Sequence, residues 1–240
     1  MQDGIAEPTA IVAGTGLYTS HMLMSTFHIT DLRPDKRLPG NLIIEVNGAR
    51  FATLPAEVVS PLGLEVDLEL GADQYELLSR VAAVESAFRV AVRLLAARPR
   101  SVNELLRKLK DRGHDPSVAA TAVGRLESKG VLDDSAFACH FARVRLSRAH
   151  GPTRILSDLL GKGVDRRVAE RAIDTVMEQE TVDIQAAARS LVKKRMRQLG
   201  DLPRQKMKQR LIGYLARRGY RGYDVREMVD EVVEQAGSGE

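Results

Sequence analysis

The sequence predicts a mainly α-helical protein, in which a small β-containing N-terminal domain precedes a tandem array of three three-helix repeats. Three observations support this prediction. Between residues 26 and 70, apolar residues alternate with polar ones, which is typical of strands. From Gln74 onward they recur at three- and four-residue steps, which is typical of amphipathic helices. A motif of leucine and glycine then occurs three times, at intervals of about 50 residues.

The N-terminal domain is predicted to consist of short strands joined by tight turns. The expected elements are strands at Phe27–Ile29, Leu42–Val46 and Arg50–Thr53, one or two helical turns at 55–62, and a strand at 64–70. Asn47-Gly48 predicts a type I′ hairpin turn, because both residues tolerate positive φ. Asp73 is expected to cap the first long helix.

The repeated motif is a pair of aliphatic residues four apart, followed four residues later by glycine. The three copies are Leu105-Leu109-Gly113, Ile155-Leu159-Gly163 and Leu211-Leu215-Gly219. Each glycine is expected just past a helix end, in the left-handed conformation, so all three should respond alike to substitution. The aspartates expected to cap the following helices are Asp115, Asp165 and, in a third copy that is one residue longer, Asp224. Ser101 and Glu104 are spaced as a capping box.

The change of pattern along the chain predicts its segments. They are a loose leader (1–24), a small β-rich domain (25–72), helical repeats at 73–132, 133–181 and 182–235, and a tail (236–240). Met22 or Met24 is a candidate biological start, because folded patterning begins only near Phe27. Repeats this small bury too little surface to be stable alone, so we expect them to stack. A helical array without residues 1–72 is expected to fold.

Charge is distributed unevenly along the chain. Residues 1–80 hold 5 Lys and Arg against 11 Asp and Glu, a balance of −6. Residues 81–240 hold 31 against 21, a balance of +10. The asymmetry indicates a basic helical region that meets a polyanion, or else a solvated, charge-rich helical surface, and charge alone does not separate the two.

Basic residues on three predicted helices are the candidate binding residues, for DNA phosphates or for an acidic protein surface. They are Arg143, Arg145, Arg148, Lys193, Lys194, Arg195, Arg197, Arg217 and Arg218. The alternative for the run 193–197 is a solvated face. Arg217-Arg218 lies at a helix C-terminus, where cations are favoured in any case. Tyr214, Tyr220 and Tyr223 are expected to pack the third repeat rather than to stack on bases.

No pattern of catalytic or ligand-binding residues is present, so neither enzymatic activity nor a cofactor or metal is expected. There is no phosphate-binding Gly-x4-Gly-Lys-Ser/Thr loop. Cys139-His140 lacks further ligands at suitable spacing, and Asp133-Asp134 is expected to cap a helix. One cysteine favours a reduced, cytoplasmic location. No apolar run approaches the roughly 20 residues that span a bilayer.

Several segments resemble the RecX family of regulatory proteins. They are Arg93-Leu94-Leu95, Arg98-Pro99-Arg100-Ser101, Leu132-Asp133-Asp134 with Phe137-Ala138, Gly151-Pro152, Gly163-Val164-Asp165, and Leu215-Ala216-Arg217-Arg218-Gly219-Tyr220. The N-terminal domain, through Val46-Asn47-Gly48 and Leu62-Gly63-Leu64, is similar to the extension that some members carry. The resemblance covers about residues 26–235.

The resemblance implies a non-enzymatic regulator of homologous recombination and DNA repair. RecX proteins bind the RecA recombinase, above all its filament on single-stranded DNA, and restrain ATP hydrolysis, strand exchange and co-protease activity. The implied partners are therefore RecA and single- or double-stranded DNA, for a cytoplasmic and monomeric protein. A free-standing helical DNA-binding protein and a pure interaction scaffold are the alternatives.

Overall fold

A computed structural model describes residues 26–200 and 202–237. The predicted leader lies outside the described residues. The strands are β1 Phe27–Pro34, β2 Asn41–Val46, β3 Ala49–Pro55 and β4 Glu69–Leu70. The helices are α1 Ala56–Val59, α2 Ala72–Ala97, α3 Val102–Lys110, α4 Pro116–Ser128, α5 Asp134–Ser147, α6 Pro152–Gly161, α7 Arg166–Gln179, α8 Ile184–Leu199, α9 Arg204–Arg218 and α10 Tyr223–Gly237. The predicted fold class, a small β domain followed by three three-helix repeats, is confirmed.

The β domain is one antiparallel sheet in the order β3-β2-β1-β4. Its inner face contributes Ile29, Ile44 and Leu54, which are fully buried. Asn47 and Gly48 join β2 to β3 with φ of 52° and 77°, as a type I′ turn requires. The hairpin predicted from this dipeptide is confirmed.

Two local predictions in this domain are wrong. The strand predicted at 64–70 is limited to β4, because the backbone turns at Asp67, where φ is 67°. Leu64 and Leu68 are partly buried against the sheet, so apolar alternation arises here without an extended strand. Asp73 does not cap α2, whose N-cap is Gly71; the Gln74 side chain accepts a hydrogen bond from the Gly71 N–H at 3.0 Å.

The long helix α2 packs against both the sheet and α4. Near its start, Leu78 is buried in the same cluster as the sheet residues, with Val81 packed against that cluster. Further along, the buried carboxylate of Glu85 accepts a hydrogen bond from Arg125 of α4 at 2.7 Å. The domain boundary predicted at residue 72 therefore falls between the sheet and the α2 residues that complete the core of that sheet.

The described chain divides into two compact units. One contains the described residues up to Arg98 together with Leu105–Lys129, and the other contains Pro99–Glu104 with the described residues from Gly130 onward. In the second unit, α5, α6 and α7 enclose one apolar core, and α8, α9 and α10 enclose another. The paired aliphatic residues of the repeated motif lie at the centres of these cores: Ile155, Leu159, Leu211 and Leu215 are all fully buried.

The helix ends follow the predicted chemistry in most places. Gly113, Gly163 and Gly219 have φ of 82°, 77° and 90°, so the left-handed assignment is confirmed for all three. The caps Asp115, Asp133 and Asp165 accept hydrogen bonds from first-turn N–H groups at 2.7–2.8 Å. The predicted cap Asp224 is wrong. It lies in the first turn of α10, which begins at Tyr223, so this aspartate follows the helix start instead of preceding it.

Candidate functional site

The first turn of α3 is joined to the second repeat by side chains. The buried Ser101 hydroxyl donates to the Lys162 carbonyl at 2.6 Å, and Asn103 Nδ2 donates to the Gly163 carbonyl at 2.6 Å. Glu104 forms an ion pair with Lys162 at 3.1 Å, and its N–H donates to the Ser101 oxygen. We call this set of contacts the first junction. One half of the predicted capping box is confirmed, because the Ser101 side chain caps the helix.

The second and third repeats meet through backbone at the equivalent position, which we call the second junction. The Gly151 N–H donates to the Arg218 carbonyl at 2.7 Å. A Cβ added to Gly151 would collide with the Gly219 carbonyl, and one added to Gly219 would collide with Arg154 and the Gly151 oxygen. Two glycines are therefore required for this close approach.

Basic residues line a cavity of about 510 Å³ beside the second junction. Arg217 and Arg221 come from the third repeat, while Thr153, Arg154 and Ser157 come from α6 of the second. Arg154 is paired with Asp158 at 2.9 Å. Arg217 and Arg221 form no ion pair with any residue that the structure describes. The cavity thus presents two uncompensated guanidinium groups beside two hydroxyl groups.

A second cavity, of about 400 Å³, adjoins the first. Ile212, Tyr220 and Val225 give it mainly apolar walls, Arg226 also lines it, and it shares Ala216 and Arg221 with the basic cavity. Burial raises the pKa of the Tyr220 phenol, which therefore stays neutral near pH 7.

The candidate residues on α5 have different environments. Arg143 is exposed and pairs with Glu180 at 2.6 Å. Arg145 lies over the Phe141 ring at 4.9 Å and pairs with Asp158 at 3.4 Å, so its aromatic and ionic contacts fix the side chain. Arg148 is exposed at the end of the helix, and its carbonyl accepts a hydrogen bond from Arg218.

The candidate residues on α8 are mostly solvent-facing. Lys193, Lys194 and Arg197 are exposed. Arg195 differs, because it donates to Gln198 at 2.9 Å and lies 5.7 Å from the centre of the Tyr214 ring. Three of the four residues in this run are therefore exposed, and the fourth packs against its own repeat.

The neighbouring residues Arg217 and Arg218 have distinct environments. Arg217 is exposed and lines the basic cavity. Arg218 donates to the carbonyls of Arg148 and Ala149 at 3.1 and 3.4 Å, and its guanidinium lies 5.4 Å from the centre of the Tyr214 ring. The structure therefore places Arg195 of α8 and Arg218 of α9 beside the same Tyr214 ring, and Arg218 also contacts the Arg148 carbonyl at the end of α5.

Sequence reasoning did not select Thr153, Arg154, Ser157 or Arg221. Their only sequence cue is proximity to Gly151-Pro152 and to Gly219-Tyr220, and nothing in the sequence shows that these two segments meet. Of the predicted tyrosine cluster, Tyr220 is buried in the third core and Tyr214 packs under two arginines. The side chain of Tyr223 lies outside the described residues.

The remaining polar candidates have structural partners. Asp134 Oδ1 accepts a hydrogen bond from the Val102 N–H at 2.9 Å, and burial raises the pKa of this carboxyl. Among the described residues, no three His, Cys, Asp or Glu side chains form a group that could hold a metal ion. In the same part of the chain, no helix is both long and apolar enough to cross a membrane.

Fold and site together define a tandem-repeat protein of three three-helix units with basic faces. Family models described as the first, second and third three-helix domains of RecX match residues 87–126, 133–173 and 182–229. The chain belongs to the RecX family.

Similar proteins agree with this assignment. The chain is 40% identical over 114 residues to a regulatory protein RecX of Halorhodospira halophila. The matched region covers 48% of this chain and 68% of the relative. It is 34% identical over 137 residues to a regulatory protein RecX of Amycolatopsis mediterranei, with 57% and 77% covered. A crystal structure of a regulatory protein RecX superposes with a TM-score of 0.69 at 22% identity, over 85% of this chain and 99% of that chain. A second crystal structure, of RecX from Lactobacillus salivarius, superposes with a TM-score of 0.55 at 17% identity, over 64% of this chain and 97% of that chain. At these identities, the structures support the fold alone.

Proposed function

We propose that this protein binds the RecA recombinase and its filament on single-stranded DNA, and thereby inhibits ATP hydrolysis, strand exchange and co-protease activity. The observation that supports the proposal is the presence of all three RecX three-helix domains in one chain. We infer that it acts in the cytoplasm as a monomer, through binding rather than catalysis, in DNA repair and recombination.

The exposed cations of the second and third repeats support a polyanionic partner. Lys193, Lys194 and Arg197 are exposed on α8. Arg148 and Arg217 are exposed at the ends of α5 and α9, close in sequence to the residues of the second junction. Such scattered charge suits a long ligand better than a small one, because each contact adds a modest electrostatic contribution.

The direct experiment measures ATP turnover by RecA on single-stranded DNA while this protein is added. We expect turnover to fall as the protein becomes stoichiometric with RecA. The protein alone should hydrolyse neither ATP nor DNA. Unchanged RecA turnover at excess protein would contradict the proposal.

A charge-neutralised variant tests whether α8 contributes to binding. Lys193→Ala/Lys194→Ala/Arg197→Ala removes three exposed cations and leaves Arg195 on Tyr214. The matched control removes three cations from α7: Arg166→Ala/Arg167→Ala/Arg171→Ala. Both variants should melt close to the parent, because exposed substitutions usually change stability by no more than about 0.5 kcal/mol. We expect only the α8 variant to bind the filament more weakly.

A salt series separates the proposal from a free-standing DNA-binding protein. Affinity for bare DNA with a steep salt dependence, and no gain when RecA coats the strand, would favour the alternative. Tighter binding to the RecA–DNA filament than to either component would favour the proposal.

A further inference from the structure

We propose that the two adjoining cavities at the second junction form a binding site for one nucleotide of single-stranded DNA, with the phosphate in the basic cavity and the base in the apolar one. The proposal deepens the proposed function, on which it rests for the identity of the partner. It also explains why two arginines beside this junction have no partner within the described chain.

The basic cavity has the donors that a phosphodiester requires. Arg217 and Arg221 supply uncompensated guanidinium groups, and guanidinium geometry matches two phosphate oxygens at once. Thr153 and Ser157 add hydroxyl donors one helical turn apart on α6. Asp158 pairs with both Arg154 and Arg145, so the arginines without an ion pair in this cavity are those of the third repeat.

The first turn of α6 adds to this set of donors. Its N-cap is Gly151, which has no side chain. Pro152 has no N–H and the Arg154 N–H donates to the Gly151 carbonyl at 3.1 Å, so the Thr153 N–H is the first-turn donor without a partner among the described residues. At the first junction, Ser101 occupies the equivalent position, and its oxygen accepts from the Glu104 N–H at 3.1 Å. Because an anion is favoured at a helix N-terminus, the Thr153 N–H suits a ligand oxygen in the basic cavity, which Thr153 lines.

The apolar cavity gives the site its preference for a single strand. It shares Ala216 and Arg221 with the basic cavity, so it lies next to the site of the bound phosphate. Ile212, Val225 and the neutral Tyr220 form walls suited to the face of a base. A base in a duplex is stacked and paired, so it enters such a cavity only at the cost of leaving the helix.

The test compares binding of a fluorescent 20-nucleotide oligothymidylate and a duplex of the same length to the full chain. Arg217→Ala/Arg221→Ala should weaken binding to the single strand about tenfold or more, because two charged hydrogen-bond donors are lost. For this variant, the slope of log affinity against log salt concentration should become shallower by about 0.7, as expected when one phosphate contact on a single strand is lost. Lys206→Ala/Arg210→Ala, which removes the same charge from exposed positions of α9 outside both cavities, should bind nearly as the parent does.

A second measurement does not depend on how the variants fold. Photo-crosslinking of an oligonucleotide carrying 5-iodouracil to the parent protein should attach the base within residues 212–226. Free pyrophosphate should compete only at much higher concentration than the oligonucleotide, since it lacks the base. Equal competition would show a site for phosphate alone and overturn the nucleotide proposal.

These outcomes separate the site from the wider function. If the parent inhibits RecA but the double arginine variant binds the single strand as tightly as the Lys206/Arg210 control, the site is wrong and the function stands. Cross-links confined to other segments, or equal affinity for duplex and single strand, would also overturn it. If the parent does not inhibit RecA, the proposed function fails, whatever the oligonucleotide measurements show.

Discussion

The first and second junctions join equivalent positions with different chemistry. At the first, Ser101 and Asn103 donate from side chains to the carbonyls of Lys162 and Gly163. At the second, the Gly151 N–H donates to the Arg218 carbonyl, and the Arg218 side chain donates to the Arg148 and Ala149 carbonyls. The first junction is therefore sealed by polar side chains, whereas the second allows backbone contact and leaves cavities with unpaired arginines beside it.

This difference shows how a repeat protein can vary function without varying fold. The core motif is the same in each repeat, because each helix must bury the same aliphatic pair. The residues at the junctions are not constrained by that core. Glycines at one junction let two backbones touch, whereas polar side chains bridge the two segments at the other, and a cavity lies beside the glycine contact.

The largest predicted effect distinguishes the three glycines that sequence analysis expects to behave alike. Gly219→Ala should cost about 3 kcal/mol or more, because left-handed strain adds to a clash with the Arg154 backbone. Gly163→Ala meets the Asn103 side chain, which can move, so its cost should be smaller. Gly113→Ala meets no atom within 4 Å and should cost about 1 kcal/mol, from strain alone.

Denaturant unfolding of the three alanine variants would rank their costs. Equal losses would show that backbone strain alone matters, and would remove the distinction drawn between the junctions.

The next largest effect concerns the side-chain hydrogen bonds of the first junction. Ser101→Ala should lower the free energy of unfolding by about 1–3 kcal/mol, because the buried Glu104 N–H loses its cap and the Lys162 carbonyl loses a donor. Ser128→Ala is the matched control, since its exposed hydroxyl donates only to the Arg125 carbonyl within its own helix. Similar melting temperatures for the two variants would show that the junction does not depend on this hydroxyl.

A smaller effect separates two neighbouring arginines at the second junction. Arg218→Ala should cost about 1 kcal/mol, because its hydrogen bonds to the Arg148 and Ala149 carbonyls are lost. Arg217→Ala should leave stability within about 0.5 kcal/mol of the parent, since this side chain is exposed. Thermal melts check both values. The reverse order would mean that Arg217, and not Arg218, supports the junction.

The smallest effect is a dependence of stability on pH at the second junction. Burial, together with the positive charges of Arg145 and Arg218, lowers the pKa of His150 below its ordinary value of 6.5. The unfolded chain therefore binds this proton more readily than the folded protein does. Stability is fully present above about pH 6.5 and declines as the pH falls below it.

The variant His150→Asn should reduce this loss of stability. Melting temperatures measured between pH 7.5 and 5.5 should fall less for the variant than for the parent. An identical fall in both proteins would assign the acid sensitivity to other groups.

The sequence by itself determined the fold class, the repeat and most helix ends. These features depend on local spacing: an aliphatic pair four residues apart, a glycine that tolerates positive φ, and an aspartate that caps the next turn. The Asn47-Gly48 turn was predictable for the same reason. Local spacing failed at residues 64–70, where the backbone turns at Asp67, and at Asp224, because α10 begins one residue before it.

Only the tertiary structure decided which cations are free and where they meet. Arg195 and Arg217 look equivalent in the sequence, but one packs on Tyr214 and the other faces a cavity. Thr153 and Arg221 lie 68 residues apart and share that cavity only because Gly151 and Gly219 let two backbones touch. The physical reason is that pairing and solvation depend on neighbours from distant segments, which local periodicity does not encode.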